Sequence, residues 1–315
     1  MTSSTIENKK TGKSKLWQPP IVGIVTFLLM FVAIGLAHTM MLMIEHQLGQ
    51  ALTLKVSPLI GFSGIVLLWY GVKSQNEAFQ TWVGFFAGVI VWMAWVEFFY
   101  MWYGRENWGM LPRMDGPDGL NVSGTWPEYM VMGSTVGVLM MMLCFYTFDK
   151  DTRCNMFLWF QDKLGLKEGL GPSTKKAKDR NYALITFMET FFVTWFCYSW
   201  NLLAFDPGLV GTGNLFVAVN LASVFVATVW GGYCFARLIK FKRTSTALRY
   251  AIPVGNIIWI NVEVLSKFGM LTEIWVDPWK YTLEMSVMFA AFLSLILMLV
   301  LAPKKGSEVG QWKRG

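Results

Sequence analysis

A series of long apolar runs constrains this chain more than any other feature of its sequence. Eight runs of roughly 18 to 25 residues lie near 21–44, 56–73, 80–103, 127–148, 182–204, 214–237, 249–268 and 279–302. That is the length at which an α-helix crosses a hydrocarbon core of about 30 Å. The runs are continuous rather than short and alternating, so they predict helices and argue against a β-barrel. Composition agrees: 54% of residues are hydrophobic and only 15% charged, where soluble domains carry about a quarter charged. The expected fold is an all-α membrane protein of eight transmembrane helices, placed in the inner or plasma membrane.

Charge sets the expected orientation. All but five of the 27 Lys and Arg fall in a polar N-terminal tail (1–20), at Lys73, in the connection 149–181, between Arg237 and Arg249, or in the tail 303–315. The exceptions are Lys55, Arg105, Arg113, Lys267 and Lys280. The positive-inside rule therefore puts both termini in the cytoplasm. The first run is too long for a signal-peptide core and lacks a small-residue cleavage site, so it is expected to remain as a helix. The sequence pI near 9.2 then reflects topology, and no nucleic-acid partner is implied; the partner implied is the lipid bilayer.

The sequence divides into transmembrane helices 1–4 (21–148, with an outer loop 104–126), a cytoplasmic linker 149–181, and transmembrane helices 5–8 (182–302). In the linker, Met156, Phe157, Trp159, Phe160 and Leu164 can share one apolar side opposite Arg153, Lys163 and Lys167, which predicts an interfacial helix. The fragments LLWYGV (67–72) and TVWGGY (228–233) share Trp and Gly, and each precedes a segment carrying Trp and Glu, VWMAWVEFF and IIWINVEVL. Two parallel four-helix repeats are one reading of these matches. Gly133 and Gly137 form a GxxxG, which suits a close contact within the chain or a homo- or hetero-oligomer. Cys144, Cys154, Cys197 and Cys234 have no CxxC spacing and read as structural.

Charge at mid-membrane costs about 2.5–3.5 kcal/mol even on a lenient scale, so ionisable residues inside apolar runs are the functional candidates. Glu97 leads them, surrounded by Trp92, Trp95, Phe98, Phe99, Tyr100 and Trp102, with no cation one turn away. Glu263 and Lys267 are one turn apart and can pair with each other. Glu189, Thr190, Thr194 and Asn201 suggest a polar stripe, to which Asn220 and Ser223 add from the next run. The chain's two histidines stand in HTMMLMIEH. His38 and His46 are about 12 Å apart along a helix and some 80° around it, so they cannot bind one metal together.

Two fragments resemble known families without extending along the chain. PVGNIIWINVEVLSKFGMLTE (253–273) resembles the penultimate helix of sterol-isomerase-type membrane proteins, and the resemblance implies membrane-embedded Glu and His in proton transfer. The first three segments resemble small subunits of copper methane and ammonia monooxygenases, but that family's aspartate and paired-histidine ligand pattern is absent.

The leading expectation is a membrane enzyme, or enzyme subunit, acting on a small apolar or lipid-like substrate in an outer-leaflet pocket. Glu97, His38 and Glu263 would carry acid–base chemistry, or Glu97 would bind a transition metal, copper or iron, with His38 or His46 contributing singly. Haem is not expected, since two histidines at this spacing form no axial pair. The competing expectations are a solute or proton transporter using Glu189, Asn201, Asn220 and Lys267, and a non-catalytic subunit of a larger complex.

Overall fold

The computed structural model describes residues 18–98, 137, 140–152, 155–172, 180–205, 210–211, 213–275 and 277–301. Among them there are helices and connections but no strand. The helices are α1 (Ile21–Leu48), α2 (Gln50–Lys73), α3 (Glu77–Val91, continued by a π-helical turn Trp92–Phe98), α4 (140–148), α5 (Asn155–Lys163), α6 (Leu166–Leu170), α7 (Tyr182–Ala204), α8 (Asn214–Leu238), α9 (Thr244–Lys267) and α10 (Thr282–Val300). The N-terminal tail up to residue 17, the loop 104–126 expected on the outer side, Gly133 and the tail 303–315 lie outside the described residues. Gly137 is described, and among the described residues nothing comes within 4 Å of where its Cβ would stand.

Among the described residues five helices are long and apolar enough to cross a membrane: α1, α2, α3 with its π-helical turn, α8 and α10. α7 and α9 match them in length, at 23 and 24 residues, but fall short on composition. Their positions explain the difference. α9 packs against α1, α8, α7 and α3, and α7 against α3, α9, α2 and α8. A helix surrounded by helices can carry polar residues toward its neighbours, whereas one facing lipid cannot. The second helix also begins earlier than the apolar run near 56 suggests. Gly49, at φ 72°, is the only residue between α1 and α2, and this left-handed conformation favours glycine.

Small residues set the helix spacing. Along α2 and α3 the close approaches pair Gly61 with Trp95, Gly64 with Val91, and Gly71 with Val83, an antiparallel register. Along α3 and α7, Gly84 meets the Ala183 backbone and Gly88 meets Thr190, a parallel one. Gly255 of α9 meets Met30 and Ile34 of α1, so α1 and α9 also run together. Such contacts let backbones pack closely where apolar burial alone supplies no net drive between helices in lipid.

The ends are tied by polar side chains. Asn76 caps α3 by accepting from the amides of Ala78 and Phe79, and Asn181 caps α7 through the amide of Leu184. Asn181 also donates to the Val72 carbonyl, at 2.9 Å. Arg249 donates to Thr81 (2.7 Å) and Glu77 (3.0 Å), joining α9 to the start of α3. In the connection, α5 turns Phe157 into the core against Tyr146 and Phe192. Trp159, Phe160 and Leu164 stay exposed, so the broad apolar side expected of this segment is only partly covered.

Candidate functional site

A cavity of about 310 Å³ lies between α1, α3, α7 and α9. Each helix lines it along a single face. On α1 that face runs through Met30, Ile34, His38 and Leu42; on α7 through Thr190, Thr194, Tyr198 and Asn201; on α9 through Asn256, Trp259, Glu263 and Lys267. Spacings of three and four residues keep a row of side chains on one side of an α-helix. The segment after α9 contributes Glu273 and Trp275. It is held over α1 by the Thr39 hydroxyl, which donates to the Trp275 carbonyl at 2.9 Å.

The fourth wall departs from α-helical geometry. Trp92 and Glu97 are five residues apart, which in an α-helix would place them about 140° apart around the axis. Here the backbone over Trp92–Phe98 is π-helical, a geometry whose i→i+5 bonding brings such residues together and which recurs at functional sites. The Trp92 indole N–H donates to Glu97 Oε2 at 3.1 Å. The other carboxylate oxygen, Oε1, stands 2.7 Å from Nδ1 of His38; Glu97 is 8% exposed and His38 32%. Both carboxylate oxygens therefore have partners. With the Nδ1 proton directed at Glu97, a neutral His38 ring leaves Nε2 as its acceptor nitrogen. A carboxylate that orients an imidazole and stabilises its protonated form is the arrangement of general acid–base sites.

The second carboxylate of the cavity is held differently from expectation. Glu263 accepts from the Trp259 indole at 2.7 Å, one helical turn back. Lys267, one turn ahead, does not close an ion pair with it; its ammonium lies 4.0 Å from Glu273 instead. Glu263 remains within electrostatic reach of Lys267, Glu273 and His38. The tryptophans form a ring cluster here, with Trp259 and Trp275 centroids 4.8 Å apart and Phe31 5.1 Å from Trp259.

Of the residues singled out from sequence, His38, Glu97, Glu263, Asn201 and Lys267 converge on this cavity, and His46, Glu189 and Asn220 do not. His46 is exposed at the end of α1, its ring 4.5 Å from that of Trp279. Among the described residues no three His, Cys, Asp or Glu side chains stand close enough to hold a metal ion. His38 stands against Glu97 without a third such ligand, and His46 lies apart beside Trp279, so a metal held by either histidine with Glu97 finds no ligand set among the described residues. Glu189 lies about 100° around α7 from Thr190, so the polar stripe on the cavity is Thr190, Thr194 and Asn201 without it. Asn220 is fully buried and donates to the Ala204 and Phe216 carbonyls, at 2.8 and 3.0 Å. That ties the end of α7 to α8, which is a packing role.

Sequence reasoning passed over Tyr198, Trp259 and Trp275 as site residues. Tyr198 lies against Trp92, their centroids 6.0 Å apart, and a signal for Trp259 was present in the paired VWMAWVEFF and IIWINVEVL fragments. The chain matches no protein-family model, no curated protein and no solved structure.

Proposed function

We propose that this chain is a multi-pass membrane enzyme, or the membrane subunit of one, that moves a proton on a small, largely apolar molecule bound in the cavity. His38 acts as the base and proton donor. Glu97 orients its ring and offsets the charge of the imidazolium, and Glu263 supports the site from the opposite wall. One observation carries the reading: the 2.7 Å contact between His38 and Glu97 on the wall of an apolar cavity. A proton taken by the imidazole is returned to another atom of the same molecule, so no oxidant or further reactant is required. The cavity is large enough for a small organic molecule, and its walls would exclude water, which strengthens every charge interaction inside.

In this reading eight helices cross the bilayer with both termini cytoplasmic. Arg243 and Arg249 then meet Glu77 at the cytoplasmic end, and the dyad lies toward the outer leaflet. Two parallel four-helix halves are supported by a register that extends the paired fragments. Gly88, Trp92 and Glu97 of α3 correspond to Gly255, Trp259 and Glu263 of α9, with one residue more in α3. That extra residue falls in the π-helical turn, and such turns arise as single-residue insertions. Thr26, Phe27 and Phe31 of α1 correspond to Thr186, Phe187 and Phe191 of α7, and this places His38 opposite Tyr198. Packing follows the same symmetry: α1 rests on α9 as α7 rests on α3, and α2 on α3 as α8 on α9.

The test is proton exchange. Purified protein in lipid nanodiscs, incubated in D₂O with an extract of small and lipid-soluble metabolites, is expected to place deuterium in a bound molecule, read by mass spectrometry. Glu97→Gln is expected to reduce that incorporation by about a hundredfold or more. A second reading, transport, is favoured by the position of the cavity between two parallel halves, where such transporters bind their solutes. Uptake into proteoliposomes without any deuterium incorporation would support transport over catalysis.

A further inference from the structure

We infer that the Glu263 side of the cavity is a subsite for a positively charged group, so that the molecule bound is an amine or quaternary ammonium with apolar substituents. This deepens the proposed function by naming its substrate class. It rests on the cavity being a ligand site and is independent of the proton chemistry at His38.

Charge balance is the first support. Glu97, Glu263 and Glu273 all face the cavity, against one permanent cation, Lys267. Lys267 is drawn to Glu273, and Glu97 is held by His38 and Trp92. Among the described residues Glu263 has a single hydrogen-bond donor, the neutral Trp259 indole, and Lys267 acts on it only at longer range. A carboxylate in an apolar, half-buried setting is costly unless a cation offsets it. A neutral ligand would leave that cost in place, and an anion would raise it.

The walls supply the second support. Trp259 and Trp275 meet at an interplanar angle of 53°, and Trp92 and Tyr198 stand edge to face on the other side. Aromatic faces carry negative charge density and attract desolvated ammonium groups, which is how aromatic cages select quaternary nitrogen. The third support is Asn201, whose buried side-chain oxygen has no donor among the described residues. It adds an unpartnered acceptor to a residue of the same lining.

The test compares three probes that share a benzene ring and differ in charge: benzyltrimethylammonium, benzyl alcohol and benzenesulfonate, titrated calorimetrically into protein in nanodiscs. The cation is expected to bind about tenfold more tightly than the alcohol, and the sulfonate not to bind. Glu263→Gln is expected to remove the advantage of the cation while leaving alcohol binding unchanged. Trp259→Phe keeps the carboxylate but takes away its indole donor and the best cation-binding face, and is expected to weaken the cation by about threefold; it carries the test if Glu263→Gln does not fold. His38→Gln should leave cation binding intact even where deuterium exchange is lost, which separates this subsite from the dyad. Equal binding of cation and alcohol to the native protein, or undiminished cation binding in folded Glu263→Gln or Trp259→Phe, would overturn the subsite.

Discussion

Replacing His38 with glutamine is expected to lower deuterium exchange by about 10²–10⁴-fold, the contribution typical of a positioned general acid or base. Glutamine is close to histidine in length and can still donate to Glu97, so the wall of the cavity should keep its shape. What disappears is a group able to take up a proton near neutral pH. Glu97→Gln removes the negative charge that offsets the imidazolium, and should act in the same direction while retaining some activity. His46→Gln is the internal control. That residue is exposed beside Trp279 and away from the cavity, so exchange should be unchanged. A His38→Gln protein that exchanges at the native rate would remove the dyad from the mechanism.

Gly84→Val is expected to be among the most damaging single changes to the bundle. A Cβ at this position would stand 2.3 Å from the Ala183 carbonyl oxygen and 3.0 Å from its carbonyl carbon and Cα. All three are backbone atoms, so no side-chain rotation can relieve the contact and α3 must separate from α7. Overpacking of this kind costs about 1–3 kcal/mol, a large share of the stability of a typical domain. The same separation would move Glu97 away from Tyr198 and Asn201, since α3 and α7 form adjoining walls of the cavity. The expected result is a lower unfolding temperature together with lost exchange. Gly232→Val makes a suitable comparison, because that position of α8 faces open space and should alter neither.

Much of this site could be read from the chain because its strongest signals are violations. Glu97 stood out as a carboxylate among aromatics, and it is the most buried charged side chain of the cavity pair. His38 followed from its place on α1. The assignment of Glu263 to Lys267 failed for a physical reason that helix spacing does not contain. Trp259 offers an indole N–H one turn before Glu263, and the segment after α9 brings in Glu273 to compete for the lysine. The π-helical turn was equally hidden, since it depends on how the backbone accommodates one extra residue and not on an apolar period. Without it Trp92 and Glu97 would face different ways. The composition of α7 and α9 also obscured their place in the bundle: α7 and α9 belong between other helices, and only packing reveals that. The metal reading, one histidine joined by carboxylates of other helices, finds no support among the described residues, where His38 and Glu97 meet without a third such ligand close by.

The most direct measurement of the central claim exploits the chain's having only two histidines. Protein labelled with ¹⁵N-histidine gives two imidazole signals by NMR, and His46→Gln assigns the one belonging to His38. If His38 is held by Glu97, its Nδ1 carries a proton in a strong hydrogen bond to a carboxylate, seen as a far-downfield N–H resonance. That resonance should vanish or move sharply in Glu97→Gln and stay unchanged in Glu263→Gln. A His38 signal that lacks the Nδ1–H resonance, or is the same in Glu97→Gln as in the native protein, would contradict the dyad and the proton chemistry proposed for it.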